Sequence, residues 1–304
     1  MKIDKIIELW KADKRLYVKK STYSAYLLLI ENHIRPYFAD RNEISEDDVQ
    51  KFVLYELKNG LSQKTIKDII IVLKMIMKFG VKQKILQHSE IDIKFPTIGE
   101  KTDLEVLNKT DHKKIINYLQ NNFTFKNLGI YICLSTGMRI GEICGLLWSD
   151  IDMESGVIKV RRTVQRIYLV EEEKKHTEIL IDTPKTKNSI RDIPMTTELY
   201  KIIKPLKKVV NEDYFVITND IKPTEPRTYR NYYTRLIKKL NIPKLKFHGL
   251  RHSFATRCIE SKCDYKTVSV ILGHSNISTT LNLYVHPNIE QKKKCINQMN
   301  RFLK

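Results

Sequence analysis

Through its first hundred positions the chain repeats apolar residues at the spacing of one helix face. "STYSAYLLLIENHIRPYF" reads as an amphipathic helix capped by Ser21 and ended by Pro36. "SEDDVQKFVLYELKNG" starts at Ser45 with acids in its first turn and stops at Gly60. "SQKTIKDIIIVLKMIMKFG" starts at Ser62, carries Ile66, Ile69, Ile70, Leu73 and Met77 on one stripe, and stops at Gly80. These runs predict a compact bundle of helices over residues 1–90. Residues 88–109 then lose the period and contain Pro96 and Gly99, which places an interdomain linker at 91–109.

The remainder, 110–304, is mixed. Helical spacing at about 110–121 and 125–147 gives way to "GVIKVRRTVQRIYLV" and "HTEILIDTPKTKNSIRDIPM". Alternating apolar and polar positions there predict a small antiparallel sheet, with the acidic Glu171–Glu173 at a solvated hairpin tip. From Thr196 the pattern is helical again in short pieces, ending in a terminal helix at 288–304. The expected fold class is mainly α with a small antiparallel sheet (α+β), in two domains.

Charge changes the picture. The chain of 304 residues has 54 Lys and Arg against 35 Asp and Glu, a formal net charge of +19. The first hundred residues hold 18 basic against 14 acidic side chains, the rest 36 against 21. Neutralising phosphates releases condensed counterions, so this excess favours a nucleic-acid partner; a lysine-rich solvated surface is the plainer alternative. The cysteines Cys133, Cys144, Cys258, Cys263 and Cys295 are odd in number and include no C-x-x-C pair, against a disulfide framework or a zinc site. Charges at Lys2, Asp4 and Lys5 break any secretory core, and no apolar run is long enough to span a bilayer. A cytoplasmic protein without membrane contact is expected.

Four islands in the second part carry candidate chemistry. "STGMRIGEICGLLWSDID" sets Arg139 after a glycine turn at the head of a helix, a suitable phosphate site unless Arg139 only bridges to Glu142. "TPKTKNSIRDIP" reads as a tight hairpin with Lys185, Lys187 and Arg191; a lysine aimed from such a turn can act as a general acid. "HGLRHSFATRC" reads as a helix whose Leu250, Phe254 and Cys258 face the core, leaving His248, Arg251, His252 and Ala255 on the other sides. Gly249 stands where a metalloprotease helix would carry glutamate, which argues against zinc on the His248–His252 pair. "LGHSNISTTLNLYVHP" holds His274 and, ten residues on, Tyr284.

Together these supply two arginines, a lysine, two histidines and a tyrosine, with no acidic pair for magnesium. That set suits phosphoryl transfer without metal or cofactor. Each arginine–phosphate contact is worth roughly 1.5–3 kcal/mol. A free tyrosine has a pKa of about 10, so forming its phenolate at neutral pH needs roughly 4 kcal/mol.

Over residues 130–287 the order, spacing and local sequence of "TGMRIGE", the lysine hairpin, "HGLRH", "LGHS" and the following tyrosine resemble the tyrosine recombinase (phage integrase) family. The helical first hundred residues resemble that family's core-binding domain. The resemblance implies a core-binding domain joined to a catalytic domain of the DNA breaking-rejoining type. It implies that Arg139 and Arg251 hold the scissile phosphate, Lys185 is the general acid, and His248 assists proton transfer. His274 would support the phosphate, and Tyr284 would attack to leave a 3′-phosphotyrosine and a free 5′-hydroxyl. Glu142 would order the site, and Lys187 competes with Lys185 according to the hairpin register. It further implies double-stranded DNA with an inverted-repeat site as substrate and a homotetramer on synapsed DNA, from a protein that can be a monomer without DNA. Residues 288–304 would dock on a neighbouring protomer, or else pack on their own domain. The arm-binding domain of many integrases is not expected ahead of the helical domain, which keeps resolution and inversion beside integration. "EPRTYRNYYTRLIKKL", with Arg227, Arg230 and Arg235, is the expected helix against DNA. A monomeric type IB topoisomerase and a non-catalytic DNA-binding regulator are the rival readings.

Overall fold

The computed structural model describes residues 1–87, 90–96, 105–171, 174–184, 186–284 and 289–302. The chain forms two compact units, Met1–Lys101 with Arg166–Leu180, and Thr102–Gln165 with Ile181–Lys304.

In the first unit α1 (Ile3–Arg15) buries Ile3, Ile6, Ile7 and Trp10, the i, i+3, i+4, i+7 stripe of an amphipathic helix. α2 (Lys20–Leu29) begins one residue ahead of Ser21 and has no side-chain cap. It runs through a π-turn, Ile30–Ile34, into α3 (Arg35–Phe38). Pro36 therefore does not end this helical run. The π-turn resets the hydrogen-bonding frame, and Pro36 then sits in the first turn of α3, where its missing N–H costs nothing. α4 (Glu46–Lys58) opens on a capping box between Ser45 and Asp48, and α5 (Gln63–Lys82) on the Ser62 hydroxyl accepting from Thr65 N–H. Gly80 is inside α5 rather than at its end: a Cβ there would lie 2.8 Å from Leu86 Cδ1, so the glycine serves close packing.

The 91–96 stretch lacks regular structure but is tied down. Gln50 exchanges two 3.1 Å hydrogen bonds with the Lys94 backbone, and Lys74 Nζ donates to Ile91 O at 2.6 Å. Side chains of α4 and α5 thus satisfy a backbone that has no ladder of its own.

In the second unit α6 (Lys109–Asn121) and α7 (Phe125–Thr136) precede Gly137, whose φ of +67° ends α7 in a left-handed cap. A short α8 (Ile140–Cys144) follows. Strands β1 (Ile151–Asp152) and β2 (Val157–Val160) pair antiparallel, and β2 pairs with β5 (Arg191–Pro194) in register Val160 opposite Arg191. β3 (Thr163–Glu171) and β4 (Lys174–Asp182) form a separate two-stranded ribbon. Residues 183–194 are accordingly not a tight hairpin. They cross from the ribbon to the three-stranded sheet through a 3₁₀ turn at Lys187–Ser189, because β5 takes β2 and not β4 as its partner. Of the expected acidic tip, Glu172 and Glu173 lie outside the described residues.

Six helices complete the described part: α9 (Thr197–Leu206), α10 (Pro226–Lys239), α11 (His248–Glu260), α12 (Tyr265–Leu272), α13 (Ile277–Tyr284) and α14 (Ile289–Phe302). On α10 two of the three tyrosines are core rather than surface: Tyr229 and Tyr233 are fully buried, Tyr229 donating to Lys126 O at 2.6 Å, while Tyr232 is half-buried. α11 departs from its sequence pattern. Leu250 is buried as expected, but so are Arg251 and Ala255, whereas Phe254 and Cys258 are only half-buried. α7, α12 and α13 all pack against α11, so burial extends beyond the single stripe that the spacing suggests.

Candidate active site

Two left-handed glycines organise the site. Gly137 ends α7 and Gly273 ends α12, both with φ +67°. A residue that turns the chain this way leaves its own and neighbouring carbonyls free of the helix, available to side chains. Arg251 uses them: Nη1 donates to Gly137 O and Nη2 to Leu272 O, each at 2.8 Å. Arg139, two residues after Gly137, donates from Nη2 to Gly273 O at 3.1 Å. Carbonyls of "TGMR" and "LGH" thereby hold Arg251 of "HGLRH", and a carbonyl of "LGH" holds Arg139.

Glu142 fixes the second layer. Its carboxylate accepts from Arg139 N–H at 2.9 Å and from Arg139 Nη1 at 2.8 Å. It also takes a bidentate pair from Arg191, at 3.1 and 2.9 Å, while Arg191 Nε donates to Ile271 O at 2.6 Å. Burial pushes the Glu142 carboxyl up, but the hydrogen bonds and charge of Arg191, with Arg139, outweigh it and hold the pKa below the ordinary carboxylate value. Arg139 therefore does bridge to Glu142, and its side chain still keeps about a third of its surface open, at 36 %.

Arg251 is different. It is 2 % exposed and, among the described residues, has no carboxylate in contact. Burial, then the charge of Arg139, lowers its pKa to about 9, and it is still a cation at neutral pH. Three guanidinium groups around one carboxylate leave two positive charges in a partly dry pocket, which calls for an anion.

The histidines are neutral. Burial, then the positive charges of Arg251, Arg139 and Arg191, brings His274 to about 4; its Nδ1 lies 2.8 Å from the hydroxyl of the buried Thr280. His248, at the first turn of α11, keeps an exposed face. Desolvation of the rest, then His252, Arg251 and Arg139, also lowers it to about 4. Two open depressions flank the arginines. One of about 440 Å³ is bounded by Arg230, Lys246, His248 and Arg251; the other, of about 460 Å³, by Arg139, Thr163, Ser189 and His274.

Tyr284 is 7 % exposed and packs on Ala255, Val268 and Leu272. Its hydroxyl lies 2.5 Å from His252 Nδ1. Burial pushes the phenol up to about 12, against the opposing charge of Arg251. Ionising it at pH 7 takes about 7 kcal/mol, at 1.36 kcal/mol per unit.

Of the residues singled out in the sequence, His248 and Arg251 line one depression and Arg139, Glu142 and His274 the other, with Tyr284 on α13 hydrogen-bonded to His252. Lys185 lies outside the described residues; Lys187 opens the 3₁₀ turn. Arg227, Arg230 and Arg235 are exposed on α10, and only Arg230 reaches a depression of the site. Among the described residues no group of three or more His, Cys, Asp or Glu is placed to hold a metal ion. Sequence reading missed three contacts: Arg191 on Glu142, Thr280 on His274, and His252 on Tyr284. Only the second histidine of "HGLRH" offered a local signal.

The model of the phage integrase family matches residues 105–291, and that of the phage integrase N-terminal SAM-like domain matches residues 3–56. A tyrosine recombinase XerC-like protein of Caldanaerobacter subterraneus is 28 % identical over 93 % of this chain and 79 % of its own length. The ICEBs1 integrase of Bacillus subtilis is 24 % identical over 98 % of this chain and 82 % of its own. In fold, the chain is similar to the Tn1549 transposon integrase bound to transposon right end DNA, with TM-score 0.79, 24 % identity, and 99 % and 100 % of the two chains covered.

Proposed function

This chain belongs to the phage integrase family and is a site-specific tyrosine recombinase, and we propose that Arg139, Lys185, His248, Arg251, His274 and Tyr284 carry its chemistry. The carrying observation is the buried, carboxylate-free Arg251 beside Arg139, a charge excess suited to one phosphodiester. Both arginines bind the non-bridging oxygens and stabilise the charge that grows in the transition state. Tyr284 attacks phosphorus, Lys185 protonates the departing 5′-oxygen, His248 assists proton transfer, and His274 hydrogen-bonds a phosphoryl oxygen as a neutral donor. A 3′-phosphotyrosine and a free 5′-hydroxyl result. Attack by a 5′-hydroxyl of the partner duplex reverses the step, so bond energy is conserved without ATP or metal.

Residues 1–90 serve as the DNA-clamping domain and 110–304 as the catalytic domain, consistent with the SAM-like match over residues 3–56. The substrate is double-stranded DNA with an inverted-repeat site, gripped in part by Arg227, Arg230, Arg235 and Lys187. Relatives named as integrase of ICEBs1 and transposase of Tn916 favour service to a mobile element on bacterial cytoplasmic DNA. Among the described residues no helix is long and apolar enough to cross a membrane. The working form is a homotetramer on synapsed DNA. Exposed Ile289, Ile296, Met299 and Phe302 give α14 an apolar surface for a neighbouring protomer.

A nicked suicide duplex carrying the repeats that flank the gene tests this reading. A covalent protein–DNA species forms with the native chain and is absent for Tyr284→Phe, which still binds the duplex. Its persistence in Tyr284→Phe overturns the nucleophile assignment; site-independent relaxation of supercoiled plasmid by a monomer supports a topoisomerase instead.

A further inference from the structure

The Tyr284 proton has to leave as the phenol attacks, and among the described residues no other member of the six-residue set is in hydrogen-bond contact with the phenol. The phenol stands in an apolar setting of Ala255, Val268 and Leu272, with Phe254, Cys258 and Ile259 packed around it. Such a lining keeps bulk water from serving as the base. The one polar side chain in hydrogen-bond contact with the hydroxyl, among the described residues, is His252, with Nδ1 at 2.5 Å. The imidazole is half-buried and lies on α11 one residue after Arg251. His248 stacks edge-on against it with ring centres 4.5 Å apart, and the two aromatic rings of His252 and Tyr284 are 5.6 Å apart.

Resting on Tyr284 as the nucleophile, we propose that His252 is a further catalytic residue, the general base that takes the Tyr284 proton at Nδ1. As the Oη–P bond forms and the P–O5′ bond breaks, the hydroxyl proton passes to Nδ1. The departing O5′ receives a separate proton from the general acid. In resealing, the imidazolium at His252 returns its proton to the phenolate as the P–Oη bond breaks, so the cycle closes without net protons. A base needs a free lone pair. Burial and then the charge of Arg251 lower the pKa of His252, which is therefore neutral at pH 7. The charged and titratable groups about it are His248 and Arg251 of its own helix and Tyr284 of α13. Behind Arg251 stand Cys133 of α7 and Arg139.

The test is single-turnover formation of the covalent species on the suicide duplex, from about pH 5 to 9, with the full chain. General-base catalysis is worth about 10²–10⁴-fold, so His252→Ala should slow adduct formation by at least about 10²-fold without weakening DNA binding. It should also lose the acid limb of the pH–rate profile and regain rate with added imidazole. His252→Gln, which keeps a polar side chain of similar reach but cannot take a proton at neutral pH, should be equally slow. Three outcomes overturn the proposal. The first is an adduct formed as fast or faster by His252→Ala, which would make the bond a latch on the nucleophile. The second is a slow variant that keeps the acid limb and ignores imidazole. The third is full activity in His252→Gln. Thermal unfolding of both variants separates these from misfolding. Tyr284→Phe in the same assay reports independently on the nucleophile, since it abolishes the adduct whichever group is the base.

Discussion

Arg251 Nη1 donates to the carbonyl oxygen of Gly137 at 2.8 Å, so a buried cation of the proposed site is held by the residue that turns the chain out of α7. Gly137 has φ +67°, and a Cβ on it would lie 2.6 Å from Phe254 Cδ1 and 2.7 Å from Leu272 Cδ2. Gly137→Ala combines left-handed strain of about 1–2 kcal/mol with overpacking of about 1–3 kcal/mol. Denaturant unfolding should show a loss of about 2–5 kcal/mol at unchanged m-value. Recombination should fall further than stability explains, because Leu272, which also holds Arg251, must move.

Glu142 and Arg191 form a second, nearly dry relationship, with side-chain exposures of 3 % and 5 %. Removing Arg191 takes two hydrogen bonds from the buried Glu142 carboxylate and leaves it on Arg139 alone, so Arg191→Met should destabilise the fold by up to about 3–5 kcal/mol. The folded-state pKa of Glu142 lies below the ordinary carboxylate value, after the pull of Arg191 and Arg139 has overcome burial. Its contribution is thus present above the unfolded carboxylate range and lost as pH falls through the folded pKa. In Arg191→Met the acid limb of the stability curve should move to higher pH, as followed by thermal melts across pH 3–7.

His274 titrates at about 4 in the DNA-free chain because it is buried near Arg251, Arg139 and Arg191. Below the unfolded histidine value of about 6.5, the unfolded chain takes up the proton first, so the DNA-free fold should lose stability as pH falls from about 6.5 towards 4. A bound phosphate reverses the field and raises this pKa. DNA binding should then take up protons, and affinity should rise as pH falls from about 7 to 5. Calorimetry in two buffers of different ionisation enthalpy measures the uptake, which His274→Gln should diminish.

Arg230 is exposed on α10 and reaches the depression beside His248 and Arg251. A phosphate contact from it contributes about 0.9 to the slope of log affinity against log salt. Arg230→Ala should lower that slope by about this amount, with similar weakening on specific and unrelated duplexes. An unchanged slope with lost discrimination between duplexes would instead make Arg230 a reader of bases.

The sequence alone determined what depends on neighbours along the chain. Ser45 and Ser62 cap α4 and α5 because a hydroxyl needs only the N–H three residues on, and the stripe from Ile66 to Met77 was legible for the same local reason. The islands around Arg139, His248, Arg251, His274 and Tyr284 were readable too, as compact motifs with fixed internal spacing. Tertiary structure decided wherever a distant partner overrode the local signal. Leu86 and Ile6 press on Gly80, so it packs inside α5 and does not end it. β5 chose β2, which turned the expected hairpin at 183–194 into a crossover. Arg251 went into the interior because the carbonyls of Gly137 and Leu272 wait for it, at separations of 114 and 21 residues. The pairing of His252 with Tyr284 spans 32 residues and depends on α13 folding against α11, a closeness that periodicity does not encode. Helix capping is a property of a few adjacent residues, whereas the protonation state and orientation of a side chain belong to whatever the fold brings against it.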